Sequence, residues 1–288
     1  MYSVRLLLLI CCIFFPYPEL GAQSLNSFTS DRPGLTNTPQ VVGKHYLQFQ
    51  FGGSFGQYTS GRASFYPQTA YDRNSDYFFR FGLSHKTEVN LGFGLAQMRG
   101  AALGNYPPFY TEYIHFSHPT RLNNLSVGLR HTFFTEAEKD YALGILVQLN
   151  SAYNQSFAGL GEYGYILSLL GSKQIGSRIS SSANVGLQHK DAWTGPELFY
   201  VVNLAFDLGN NLGLFVETKN EAVLIDQPDL IQWYNSGLYW KLTPNFMLDV
   251  YGGYNRAVGS RFNENYWYAA MGLSWKIKAI ATRKKVAP

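Results

Sequence analysis

The chain is 288 residues long, 46% hydrophobic and 16% aromatic, with only 15% charged residues and a net charge of +4. That length accommodates one or two domains, and its basic residues, scattered except at Arg283-Lys284-Lys285, lack the footprint of a nucleic-acid-binding protein. The 28 Gly, 21 Tyr and 21 Phe point away from a helical protein and toward many β-strands with an aromatic, half-apolar surface.

In chain order, Arg5, the apolar run over residues 6–15 and the small residues of Leu20-Gly21-Ala22 predict a secretory signal peptide over residues 1–22. The run is too short to cross a bilayer as a helix. Cys11 and Cys12, the two cysteines of the chain, both fall inside it, so the mature chain is expected to use no disulfide, thiol or Cys-metal chemistry. A lipoprotein reading of either cysteine meets bulky Leu and Ile before it, where small residues are needed. Beyond Ala22 no apolar stretch is long enough for a membrane helix, so residence in a membrane would require a barrel.

Residues 23–44 carry Asp31-Arg32-Pro33 ahead of the first strand. Two readings stand side by side: a plug or clamp that pairs with charges inside a barrel, or a Pro33-Gly34 bend that only shapes the approach to that strand.

From residue 45 the sequence alternates with period two, the mark of strands whose faces meet different surroundings. Leu47, Phe49, Phe51 and Phe55 oppose Gln48, Gln50 and Ser54, and Val89, Leu91, Phe93 and Leu95 oppose Glu88, Asn90, Gly92 and Gly94. Leu125, Val127, Leu129 and Phe133 oppose Ser126, Gly128, Arg130 and Thr132, and Phe246, Leu248 and Val250 flank Asp249. Further segments of this kind cover 77–83, 141–150, 163–170, 179–188, 198–207, 212–218, 234–242 and 267–277, about twelve strands in all; 163–170 is apolar on both faces.

A soluble sandwich also alternates, so the connections decide. Tight turns at 84–86, 135–139, 173–177, 209–210 and 243–245 alternate with longer links at 58–75, 99–121, 151–162, 189–196, 219–230 and 255–265. That is the rule of an outer-membrane barrel, with short periplasmic turns and long extracellular loops. A dry sandwich core could not bury Glu88, Arg130 and Asp249 without strong pairing, whereas a lumen hydrates them. The expectation is an all-β, transmembrane antiparallel barrel of about twelve strands over residues 45–279, followed by a periplasmic tail, 280–288. Tyr46, Tyr77, Tyr141, Tyr163, Phe199, Tyr254, Tyr266 and Trp275 cluster at strand ends, which fits either aromatic girdles at the membrane interfaces or the ordinary β-propensity of aromatics.

The segment Ser30-Asp31-Arg32-Pro33-Gly34-Leu35-Thr36-Asn37-Thr38-Pro39, followed by Val42, Lys44 and Gln48, resembles the start of the outer-membrane β-barrel transporter family labelled for the MetA-pathway of phenol degradation. Leu242-Thr243-Pro244-Asn245-Phe246-Met247-Leu248-Asp249 is similar to that family's penultimate turn and strand, and Gly272-Leu273-Ser274-Trp275 to its closing strand. Gly43, His45 and Gln50 depart from it, standing where the family favours Pro, Gly and Glu. The resemblance implies an outer-membrane channel, in a bacterium with two membranes, for passive transport of small, aromatic or apolar solutes. Its partners would be outer-membrane lipid, that solute and the barrel-assembly machinery.

Lumen-facing and gating candidates are Asp31, Arg32, Arg80, Glu88, Arg130, Glu217, Lys241 and Asp249, whose mixed signs oppose strong ion selection. No catalytic constellation, metal or cofactor is expected. His115 and His118 lack a third ligand, and His131, on the apolar face beside Phe133, lacks a serine-containing motif. Two alternatives to the channel stay open: a structural or adhesive barrel with an occluded lumen, contacting a partner through an aromatic loop at 105–119, and an outer-membrane lipid hydrolase centred on His131.

Overall fold

The computed structural model describes residues 30–32, 34–60, 68–106, 110–152, 162–189, 195–224, 230–258 and 264–279. The expected signal peptide, Pro33 of the Asp-Arg-Pro motif and the expected tail lie outside the described residues.

Twelve strands follow one another: β1 (Tyr46–Ser60), β2 (Gln68–Gly82), β3 (Thr87–Tyr106), β4 (Tyr110–Phe134), β5 (Ala142–Ala152) and β6 (Glu162–Gln174), then β7 (Ile179–His189), β8 (Pro196–Gly209), β9 (Leu212–Val223), β10 (Leu230–Thr243), β11 (Phe246–Val258) and β12 (Glu264–Lys278). Each pairs antiparallel with its neighbour in the chain, and β1 closes on β12 from Tyr46↔Lys278 to Ser60↔Glu264. Closure leaves no sheet edge, which lets strands cross a bilayer with every ladder bond made.

The two faces are inverted relative to a soluble protein. Glu88 and Arg130 are 0% exposed inside, while their neighbours Leu91 and Leu129 are 45% and 46% exposed outside. Around the circumference Val127, Val147, Leu149, Leu169, Val185, Leu238, Val250 and Met271 are likewise exposed. An apolar belt of that extent would aggregate in water and is at home in lipid.

Both ends of the barrel chain, Tyr46 and Lys278, sit at the end that carries the short turns 83–86, 135–141, 175–178, 210–211 and 244–245. Two of them are two-residue hairpins, and in one Asn210 and Asn211 adopt φ of 53° and 64°, values that match the twist of the strands and that Asn tolerates. At the opposite end the links expected over 58–75 and 99–121 are largely strand. β1 and β2 run on to Ser60 and from Gln68, and β3 and β4 form long hairpin arms reaching Tyr106 and Tyr110. The aromatic loop expected at 105–119 is therefore the tip and arm of this hairpin; its side chains lie outside the described ones. Beyond the membrane both faces of an arm meet water, so the alternation that betrays a strand fades.

The girdle also needs correction. Tyr141 is half-buried at a turn end, and Tyr163, Tyr254 and Trp275 face outward near strand ends. Phe199 and Tyr266 are buried and face inward, Tyr46 shares the inner face with Lys276, whose Nζ lies 4.7 Å from its ring, and Tyr77 stands outward in mid-strand against Phe51 and Phe93. Parity decides these positions, and aromatic content alone does not.

Candidate functional site: a strap across the lumen

Residues 30–32 and 34–44 do not pass beneath the barrel. They run through its turn-end interior, held by side chains from most of the wall. Asp31 accepts from Arg130 Nη1 and Nη2 at 3.0 and 2.7 Å and lies 3.5 Å from Arg80 Nη1. Arg80 Nε donates in turn to Glu88 at 2.7 Å, and Glu88 lies 3.5 Å from Arg130. Two acids and two arginines thus form a neutral buried quartet, joined through one residue of the strap. Burial pushes the Asp31 carboxyl up, but Arg130 and Arg80, with bonds from Arg130 and Thr38, outweigh it and hold that group below its ordinary value of 3.8.

Arg32 occupies the barrel's closing seam. Its guanidinium donates to Asp249 Oδ1 at 3.2 Å and to the Met271 carbonyl at 3.2 Å, and it sits 5.6 Å from the centroid of the Tyr251 ring. It fits there because Gly52 and Gly272, partners across β1 and β12, present no side chain; a Cβ on either would collide with the guanidinium. Ser30 Oγ meets Ser274 Oγ at 2.7 Å on the same seam.

The strap then circles the wall. Glu217 accepts from the backbone amides of Leu35 and Thr36, both at 2.7 Å, and also bonds the Thr36 hydroxyl and, at 2.9 Å, Asn235 Nδ2. Asn184 trades two bonds with the backbone of Asn37, at 2.7 and 2.8 Å, imitating a strand partner. Thr132 donates to the Pro39 carbonyl, Arg80 to the Gln40 carbonyl, and the Val42 amide to Glu88. Pro39 packs over Gly144, where a Cβ would stand 3.3 Å from the Pro39 Cβ.

Of the candidates read from sequence, Asp31, Arg32, Arg80, Glu88, Arg130, Glu217 and Asp249 gather around the strap. Lys241 does not. It lies on the inner face near the turn end, 5.8 Å from the Tyr239 ring, in a separate recess with Asp207 and Arg178. Gln50, where the resembled family favours Glu, is not the partner of Arg32; Asp249 takes that role.

Sequence reading missed the upper lumen. Tyr58 stacks on Tyr266 at 4.2 Å, Tyr266 on Tyr268 at 5.6 Å, and Trp233, Tyr251 and Phe215 continue an aromatic ladder down to Arg32. The polar handles of these rings are tied back into the wall: Tyr266 donates to Asp72, Tyr268 to Asn235 and Trp233 to Glu221. The signal was available in the parity of β10, β11 and β12, whose odd, odd and even positions face inward.

His131 faces outward, with Nδ1 3.0 Å from Thr87 Oγ1 and its ring against Phe133. Among the described residues it has no carboxylate partner, so the orienting acid of a hydrolytic triad is missing from this pair.

No protein-family model and no curated protein matches the sequence. Among solved structures, an outer-membrane channel from Pseudomonas putida F1 is similar with a TM-score of 0.59 and 12% identity over 83% of this chain and 97% of that one. The NanC porin is similar with a TM-score of 0.50 and 10% identity over 80% of this chain and 100% of that one. At these identities the likeness is one of fold: the chain has the twelve-stranded closed barrel of outer-membrane proteins.

Proposed function

We propose that this protein is a passive outer-membrane channel for small, apolar or aromatic solutes, gated at its periplasmic end by the strap. The observation that carries the reading is how the strap is held. Apart from the Met271 carbonyl and the Tyr46 amide, which donates to the Gly43 carbonyl where the strap enters β1, the wall grips it with side chains, and every barrel ladder is complete without it. The strap can therefore leave without breaking a backbone pair of the sheet. Its neutral hydrogen bonds are worth about 1 kcal/mol each net and those to charged groups about 1.5–3 kcal/mol, while ordering each backbone residue opposes docking by about 1–2 kcal/mol. Contacts so offset suit a segment that moves.

The solute class is supported by the aromatic ladder, in which the polar groups of Tyr266, Tyr268 and Trp233 are already satisfied by the wall. Planar apolar solutes exchange ring contacts along such a surface without stripping a polar group. The ion pairs inside are locally neutral, so no strong charge selection is expected. The alternative of a structural barrel with a sealed lumen is favoured by the same buried quartet, whose charges need no solute.

Planar-bilayer recording of the full chain and of a double variant, Asp31→Ala with Arg32→Ala, separates the two. The channel reading expects brief openings in the parent, a conductance at least several-fold larger in the variant, and block by phenol that Trp233→Ala weakens. A variant as silent as its parent, still folded by circular dichroism, favours the sealed barrel.

A further inference from the structure

The outer wall carries a second pattern, independent of the channel reading. Among the described strand side chains that face outward there is no Asp or Glu; Asp72, Asp76, Glu88, Glu197, Glu217, Glu221 and Asp249 all lie on the inner parity. Toward the long-loop end, however, three arginines do face outward and are exposed: Arg73 on β2, Arg99 on β3 and Arg256 on β11. Their direction follows from register. Arg73 pairs with Phe55, which is 49% exposed, Arg99 with Tyr71, which stacks on Phe55 at 5.9 Å, and Arg256 with Asn265, next to the outward pair Tyr254 and Trp267.

The register row through Arg99 runs Tyr71, Gln57, Trp267, Tyr254; Arg73 lies two residues to the turn side of that row on β2 and Arg256 two residues to its loop side on β11, so the cations flank a row of interface aromatics. An arginine at a barrel's midplane costs about 2–4 kcal/mol, but only about 0–1 kcal/mol near the interface. No carboxylate among the described residues pairs with any of the three. Three cations with no neutralising anion among the described residues, set beside aromatic neighbours, describe a surface for an anionic headgroup whose acyl chains lie on the belt below. Guanidinium matches phosphate in a bidentate fork. Long loops mark this end as extracellular, which directs the site to the outer leaflet.

We propose that the wall formed by β11, β12, β1, β2 and β3 is a binding site for a phosphate-bearing glycolipid of the outer leaflet, with Arg73 and Arg99 gripping one phosphate group and Arg256 reaching a second across the aromatic row. The occupant is lipopolysaccharide: its anionic groups answer the all-cationic rim, and its acyl chains answer Phe55, Leu91 and Met271 beneath.

The test uses the full chain in neutral detergent, titrated with lipopolysaccharide and read by the midpoint of its heat-modifiable gel mobility. The lipid is expected to raise the midpoint in the parent. Each juxtamembrane arginine contributes about 1 kcal/mol of attraction to an anionic lipid surface, so each removal should weaken half-saturation about fivefold. The variant Arg73→Gln with Arg99→Gln should bind about twenty-five-fold more weakly, while Lys86→Gln, at a periplasmic turn, should match the parent. Dephosphorylated lipopolysaccharide and inorganic phosphate alone should each give a much smaller shift. Equal binding by parent and double variant overturns the proposal, as does an undiminished shift with the dephosphorylated lipid. Unaltered circular dichroism of the variant keeps either result interpretable.

Discussion

Asp31 shows why single residues decide the state of the lumen. Removing Asp31 leaves Glu88 alone to compensate both Arg80 and Arg130, one buried positive charge uncancelled, which is far more damaging than never having built the network. Because its folded pKa is depressed, Asp31 contributes docking stability above its ordinary pKa, and that contribution disappears as pH falls through the lower folded value. The share of the strap's seating that Asp31 supplies should accordingly persist from neutral pH down to about pH 4 and be lost only below it. Conductance recorded against pH on the periplasmic side should be flat through that window and rise in stronger acid; a rise near pH 6 would assign gating to another group. Arg80, Glu88 and Arg130 all face Asp31 or one another, so Asp31→Asn should shift this profile before any of them is altered. Period-two alternation made the inward direction of Arg80, Glu88, Arg130 and Asp249 legible in the sequence. Their partners were not, because Arg32 and Asp249 are 217 positions apart and only closure of the barrel brings them together.

At the scale of elements, strands declared themselves wherever lipid lay on one side and lumen on the other. β6 was expected to be the hardest, since it is apolar on both faces, and it is a strand with Leu170 buried inside and Leu169 exposed outside. The inner wall tolerates leucine where a strap covers it. The inner parts of β3 and β4 are legible as strands, but their outer arms over 99–121 read as a loop, because outside the membrane the two faces are no longer distinguished. The strap was legible as a motif and not as a path, for an irregular segment has no periodicity to follow. Its seat on the seam is set by absent side chains. Gly52→Val should therefore expel Arg32 without disturbing the β1–β12 ladder, at an overpacking cost of about 1–3 kcal/mol to strap docking. In planar bilayers it should behave like Arg32→Ala; conductance identical to the parent would show that the notch does not seat the guanidinium.

For the whole molecule, one inversion governs the rest: apolar residues outside, charges and hydroxyls within, and a closed sheet that leaves no edge unpaired. Such a wall forces the question of what fills the lumen, and residues 30–44 answer it at one end while an aromatic ladder lines the other. In the proposed channel the strap is a movable closure. Ser30 and Ser274 offer a direct test, since their hydroxyl oxygens lie 2.7 Å apart and the only cysteines of the chain are Cys11 and Cys12, ahead of the described residues. Single-channel recording of a Ser30→Cys, Ser274→Cys variant should show a silent barrel under oxidising conditions and openings of parental size after a reductant is added. Openings of the same size and frequency before and after reduction, with the cross-link verified by mass spectrometry, would contradict it.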